Sequence, residues 1–173
     1  MSSDALTLLG VEFQGFLAVR DLWALNGEPV PADPGVYVVS LEAGSEPPFL
    51  ERSTGGWFKG RNPTASVDRL QDKWVSGTPV LYIGQTTASL RERIRTLLQF
   101  GHGRAVGHWG GRYLWQLADA TDLVIAWRTT TDPLNTECHL LRAFMADHDG
   151  RLPFANIQGP GRRCRNGTPV PAG

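Results

Sequence analysis

Arg93 and Glu137 sit at the edges of two apolar helical stripes. Leu90, Ile94, Leu97 and Leu98 recur at helical spacing, and Arg93 flanks them on the side opposite Arg91. A guanidinium half-tucked at a core edge can give two hydrogen bonds to a phosphate. The plainer role is a surface ion pair with Glu92 or a neighbour. Leu134, Cys138, Leu141 and Met145 form the second stripe, with Glu137 on its shoulder. One carboxylate can hold Mg²⁺, which keeps several of its waters; the plainer role is a solvated acid near a helix N-terminus. Tyr37 and Tyr82 fall in strand-like runs, where tyrosines most often pack with a hydrogen-bonded tip, and from which two hydroxyls can also converge. An arginine, a carboxylate and a phenol could together serve phosphodiester hydrolysis. The chemistry needs an activated water, stabilised transition-state charge and help for the leaving oxygen. The four histidines show no metal-binding spacing.

The elements that would carry these residues are set by pattern. Residues 35–41, GVYVVSL, and 80–84, VLYIG, read as strands rich in β-branched residues. LVIAWRT, 123–129, reads as a third. TASLRERIRTLLQFG reads as a helix, opened by the capping box Ser89-x-x-Glu92 and stopped at Gly101. Asp132-Pro133 opens a last helix running to about Asp147. ASVDRLQDKWVSG spaces Val67, Leu70 and Trp74 as a short amphipathic helix. Residues 11–25 begin strand-like and end helix-like. RYLWQLADA suggests a short helix, GHGRAVGHWGGR a glycine-rich basic loop, and LPFANIQ a closing extended segment. These predict one α+β domain: residues 1–32 as an N-terminal extension packed on the core, 33–158 as the main domain, and 159–173 as a basic, loosely held tail.

Composition narrows the classes. Zero net charge counts slightly against a protein that coats nucleic acid. The charge is uneven, however. Between Ala88 and Arg112 lie Arg91, Arg93, Arg95, Arg104, Arg112, His102 and His108 against the single acid Glu92, and Arg162, Arg163 and Arg165 form a second basic cluster. A neutral protein with one basic face can hold a phosphate backbone. No apolar run is long enough for a membrane helix, and MSSDALTLLG lacks the basic start of a signal peptide. Cys138 on a helical stripe and Cys164 in a basic tail suggest an intracellular thiol protein, without a disulfide framework or metal cluster.

Gly35-Val36-Tyr37 and Tyr82-Ile83-Gly84 resemble the signature of the GIY-YIG nuclease family, with Val for the first Ile. Three later elements, in the same order as in the family, extend the resemblance: Leu90-Arg91-Glu92-Arg93 on a helix after YIG, Glu137 early in a later helix, and Asn156 in Phe154-Ala155-Asn156-Ile157. It covers roughly residues 33 to 158. The resemblance implies a central three-stranded antiparallel sheet flanked by helices, and hydrolysis of DNA phosphodiesters with one Mg²⁺ or Mn²⁺ per site. It implies Glu137 as metal ligand, Arg93 as catalytic, one of Tyr37 and Tyr82 orienting or deprotonating the water, and Asn156 as a brace. Tyr37 is taken as the base. Members act in restriction or defence, repair and mobile elements. Since one site cuts one strand, a homodimer or a partner subunit is implied.

This chain departs from the pattern at three points. Residues 42–79 form an insertion between the two tripeptides, which leans toward a restriction-like enzyme. Gln85 stands where many members carry Lys. Leu97 stands where many carry His or Tyr, and His102 or His108 could supply that group from the loop. Candidate DNA contacts are Arg91, Arg95, Arg104, His108 and Arg112, with Lys59 and Arg61 from the insertion. Gln85 and Leu97 also leave room for a catalytically inactive module that binds nucleic acid or protein.

Overall fold

Strand β3, Gly35–Ser40, is buried along its whole length, as a run of GVYVVS requires when both faces of a sheet are covered. In the computed structural model, which describes residues 6–42, 45–161 and 164, β3 has a strand on each side. In chain order the elements are β1 (Leu6–Leu8), β2 (Val11–Ala18), α1 (Val19–Ala24), β3, α2 (Val67–Lys73), β4 (Val80–Thr86), α3 (Leu90–Gly101), β5 (Val124–Thr129) and α4 (Pro133–Asp147). Two 3₁₀ segments, Trp109–Gln116 and Ala120–Asp122, precede β5. All strand pairs are antiparallel, in the order β1-β2-β5-β3-β4. The α+β class holds. The sheet is larger than the expected three strands, because β2, in the N-terminal extension, pairs with β5 and becomes part of it.

Each face has its own core. Tyr37 and Val39 turn toward α1, α3 and the longer 3₁₀ segment, where Leu90, Ile94, Leu97 and Trp115 are buried. Val36 and Val38 turn the other way, toward Leu140, Leu141 and Phe144 of α4. The expected helix signals are present. Ser89 Oγ accepts from the Glu92 amide, although the Glu92 carboxylate pairs with Arg95 and does not close the box. Asp132 caps α4 ahead of Pro133. Among the described residues no helix is long and apolar enough to cross a membrane.

The insertion packs down on the domain. Gln116 is fully buried and ties it there: its Nε2 donates to the carbonyls of Leu50 and Ala65, and its Oε1 accepts from the Ala65 amide. Phe49 stacks on Phe154, and Trp74 meets both edge-on. Two expectations are corrected. The segment LPFANIQ is irregular and forms no strand, since its strand-like bonds come from one amide and one side chain. Cys138 and Cys164 are joined in a disulfide, with Cα atoms 5.8 Å apart, and are not free thiols. Arg162, Arg163 and Arg165 lie outside the described residues.

Candidate active site

The regular β3–β4 register brings the two tyrosines together. Tyr37 pairs with Gly84 and Val39 with Tyr82, so Tyr82 faces the same side as Val39 and Tyr37. The ladder shifts only beyond them, where Ser40 pairs with Val80 and Leu81 is an extra residue. Opposite Tyr37 is Gly84, and a Cβ there would lie 2.6 Å from Tyr37 Cζ and 2.8 Å from Tyr82 Cε1. The glycine makes room for both rings, whose centroids are 5.9 Å apart. Gly35 is equally constrained, since a Cβ there would collide with the Arg128 carbonyl and Leu90.

The third ring is His108, which is fully buried with its Nε2 2.9 Å from the Tyr37 hydroxyl. Burial, reinforced by the Arg93 charge, pushes its pKa down to about 3, so the imidazole is neutral. Burial holds both phenols above their usual range, Tyr37 well above it. In Tyr82 that push is opposed by Arg93 and by hydrogen bonding from Tyr37. The site thus disfavours the ionised form of Tyr82 less than that of Tyr37. Its exposure also differs: Tyr37 is 0% exposed and Tyr82 6%.

Arg93 reaches this group from the first turn of α3. Its Nη1 donates to the Gly107 carbonyl at 3.4 Å, and its Nε is buried without a partner. Burial weakens its proton affinity, but Tyr37 and Tyr82 more than offset this, so it stays charged. Glu137 comes from the first turns of α4, a helix that packs chiefly along the edge strand β4. Burial raises its pKa to about 7, against the opposing pull of Arg93. Glu137, Tyr82 and Asn156 line one cavity of about 700 Å³, walled also by Trp109 and the Cys138–Cys164 disulfide. Asn156 acts as a brace: its Oδ1 accepts from Ile83 N at 2.9 Å and its Nδ2 donates to Ile83 O at 2.8 Å. A side-chain amide thereby completes the edge of β4 as a strand would.

Tyr37, Tyr82, Arg93, Glu137 and Asn156 are therefore neighbours. Among the described residues no three His, Cys, Asp or Glu side chains cluster as a metal cage. A lone desolvated carboxylate beside open volume suits a hydrated hard cation, which needs one or two protein oxygens. The Arg93 guanidinium, held beside Tyr37 and Tyr82, supplies positive charge from behind the Tyr82 wall.

The expected nucleic-acid contacts are dispersed. Arg91 Nε donates to Val30 O, and Arg95 binds Asn26 O, Glu28 and Glu92, so both pin α3 to the N-terminal part. Arg104 is exposed. Lys59 lies over Phe58, while Arg61 and Arg112 lie over Trp109. His108, expected on the nucleic-acid surface, is instead interior, where it takes a place beside Tyr37. His102 stacks on Trp23 and bonds Leu98 O, and does not join the site group. Leu97 is buried in the core, and Gln85 has a buried, unpartnered Oε1.

Of the two loop histidines expected as a source for the group absent at Leu97, His108 joins the tyrosines and His102 does not. One contributor was not expected from the sequence: the disulfide as a cavity wall. No protein-family model, curated protein or solved structure matches this chain.

Proposed function

We propose that the chain is a metal-dependent endonuclease of the GIY-YIG type that hydrolyses DNA phosphodiester bonds. The observation that carries this reading is the gathering of Tyr82, Glu137 and Asn156 around one cavity, with Arg93 and the Tyr37–His108 pair behind Tyr82.

Glu137 would hold the divalent cation, Mg²⁺ or Mn²⁺. Bound there, the ion would polarise the phosphate and stabilise the leaving oxyanion. Arg93 lends its charge as negative charge builds on the phosphoryl oxygens. Tyr82 is the phenol at the cavity wall, so it meets the water. Burial keeps Tyr82 a phenol at rest, so its own proton would first leave to solvent under the pull of Arg93 and the bound cation. The water oxygen then bonds to phosphorus, its proton passes to the Tyr82 oxygen, and the bond to the leaving sugar oxygen breaks with the electron pair staying on that oxygen. Tyr37 is sealed from the cavity. It steadies Tyr82 and is itself held by His108, which revises the assignment of Tyr37 as base. Asn156 keeps β4, and hence Tyr82, in place.

The test is incubation of plasmid DNA with the full chain and Mg²⁺ or Mn²⁺, beside Glu137→Ala and Tyr82→Phe. Wild type should nick or cut. Tyr82→Phe should lose about 10²–10⁴-fold, the usual worth of a positioned acid or base, and Glu137→Ala at least as much. A Glu137→Ala protein that cuts like wild type removes the metal assignment. A wild type inert with both metals removes the nuclease reading.

A further inference from the structure

Five cations gather beside the cavity with no carboxylate among the described residues in ion-pair contact with them. Arg61 and Arg112 each hold a guanidinium carbon 4.6 Å from the centroid of the Trp109 ring. Arg112 also covers the Tyr113 ring, and Arg69 Nε donates to the Tyr113 hydroxyl at 2.9 Å. Lys73 Nζ donates to the Asn156 carbonyl at 3.2 Å, and Arg151 donates to the Asp72 carbonyl. The ion pairs among the described residues fall on Arg20, Arg91 and Arg95, and on none of these five.

The group feels its own repulsion. Burial lowers the Lys73 pKa, and Arg151 and Arg69 lower it further. Burial also lowers that of Arg112. Tyr113 opposes this, and Arg69 and Arg61 add to it. Rings and backbone carbonyls hold the side chains in place, and neither neutralises them. The cluster also adjoins the proposed active site. Trp109 lines the cavity with Glu137, and Asn156, whose carbonyl takes Lys73, lines it too.

We propose that Arg61, Arg69, Lys73, Arg112 and Arg151 form a binding track for nucleic-acid phosphates flanking the one at Glu137, with Trp109 and Tyr113 aligning the guanidinium groups. The track rests on the phosphodiester reading of the neighbouring cavity. A small anion would satisfy one or two of these cations. A phosphodiester backbone presents a row of charges and can satisfy them together. The assignment moves the nucleic-acid face away from Arg91 and Arg95, which Glu28 and Glu92 already engage. It places that face on α2 of the insertion, the longer 3₁₀ segment and the chain just beyond α4.

The test is fluorescence anisotropy of the full chain with a labelled DNA duplex and with an RNA duplex of the same sequence, in EDTA, over a range of salt. Arg69→Gln, Arg112→Gln and Arg151→Gln should each lower the log–log salt slope by roughly 0.9 for DNA. Arg69→Lys should keep the wild-type slope. Arg20→Gln, removing a cation already paired with Asp122, should leave it unchanged. Thermal melting verifies that each variant is folded. Equal slopes for the cluster variants and wild type overturn the track, as does a wild type that binds neither duplex. If those slopes stay equal while wild type cuts DNA with Mg²⁺, the track falls and the nuclease reading stands. If the slopes drop in a chain that cuts nothing, the track stands and the nuclease reading falls.

Discussion

At the scale of single residues, the cavity region holds two groups whose titration opposes each other. His108 has a folded pKa near 3 against about 6.5 when unfolded. Between those values the unfolded chain binds a proton that the folded chain does not, so stability falls as pH drops from about 6.5 toward 3. The full shift corresponds to about 5 kcal/mol. Glu137 runs the other way. Its folded pKa, near 7, lies above the unfolded value, so its contribution is present at low pH and is lost as pH rises through 7. Melting in EDTA between pH 4 and 8 separates them. His108→Gln should flatten the acid side of the profile, and Glu137→Gln the neutral side. A His108→Gln protein as acid-labile as wild type would refute the buried neutral imidazole. Arg93 and Glu137 were legible because charged residues at the rim of an apolar stripe are visible on a helical wheel. His108 was legible only as one of two loop histidines that could complete the site. Nothing in Gly107-His108-Trp109 says that the chain turns inward to meet a tyrosine 71 residues away.

Elements explain why the tripeptides have their composition. Gly84 faces Tyr37 across the ladder, and the tyrosines lean into the space it leaves. Gly84→Ala must push against Tyr37 Oη, 2.7 Å from the new carbon. The expected cost is about 1–3 kcal/mol of overpacking, with a larger fractional loss of DNA cleavage than of folded protein, since both rings move. Melting temperature and cleavage rate, measured together, check this, and an alanine variant with wild-type values for both would refute it. The strands and helices that carry site residues were readable from period-2 and period-3.6 patterning and from the caps at Ser89 and Asp132. The register shift at Leu81 was not, because it appears only when β3 and β4 are laid side by side. Residues 11–25 were read as beginning strand-like, but the pairing of β2 with β5 was not, since it joins segments over a hundred residues apart and shifts register between Gln14 and Leu17. Asn156 was readable as a brace, but the segment around it reads falsely as extended: its bonds to Ile83 are made by a side chain, which leaves no trace in backbone periodicity.

Over the whole molecule, zero net charge conceals a partition. Acids and arginines pair around α1 and α3, through Glu28, Glu92 and Asp122. The cations of the insertion and the longer 3₁₀ segment have no such partners among the described residues. Composition averages the two sides, and only the fold separates them. The same limit hid the disulfide. Cys138 and Cys164 are 26 residues apart, and their pairing depends on the chain returning past Phe154 and Asn156 to the flank of α4. That return builds one wall of the cavity, since Gly159, Pro160 and Gly161 line it alongside Glu137. The bond closes a loop whose chain entropy, for a sequence separation of 26, corresponds to about 3.5 kcal/mol. Cys138→Ser/Cys164→Ser should therefore melt several degrees lower than oxidised wild type, and wild type in excess reductant should match the double variant. Because the released wall bears on the Glu137 side, metal-dependent cleavage should weaken with it, while the salt slope of DNA binding, set by cations on other segments, should hold. If reduction left both melting and cleavage unchanged, the tether would have no part in shaping the cavity.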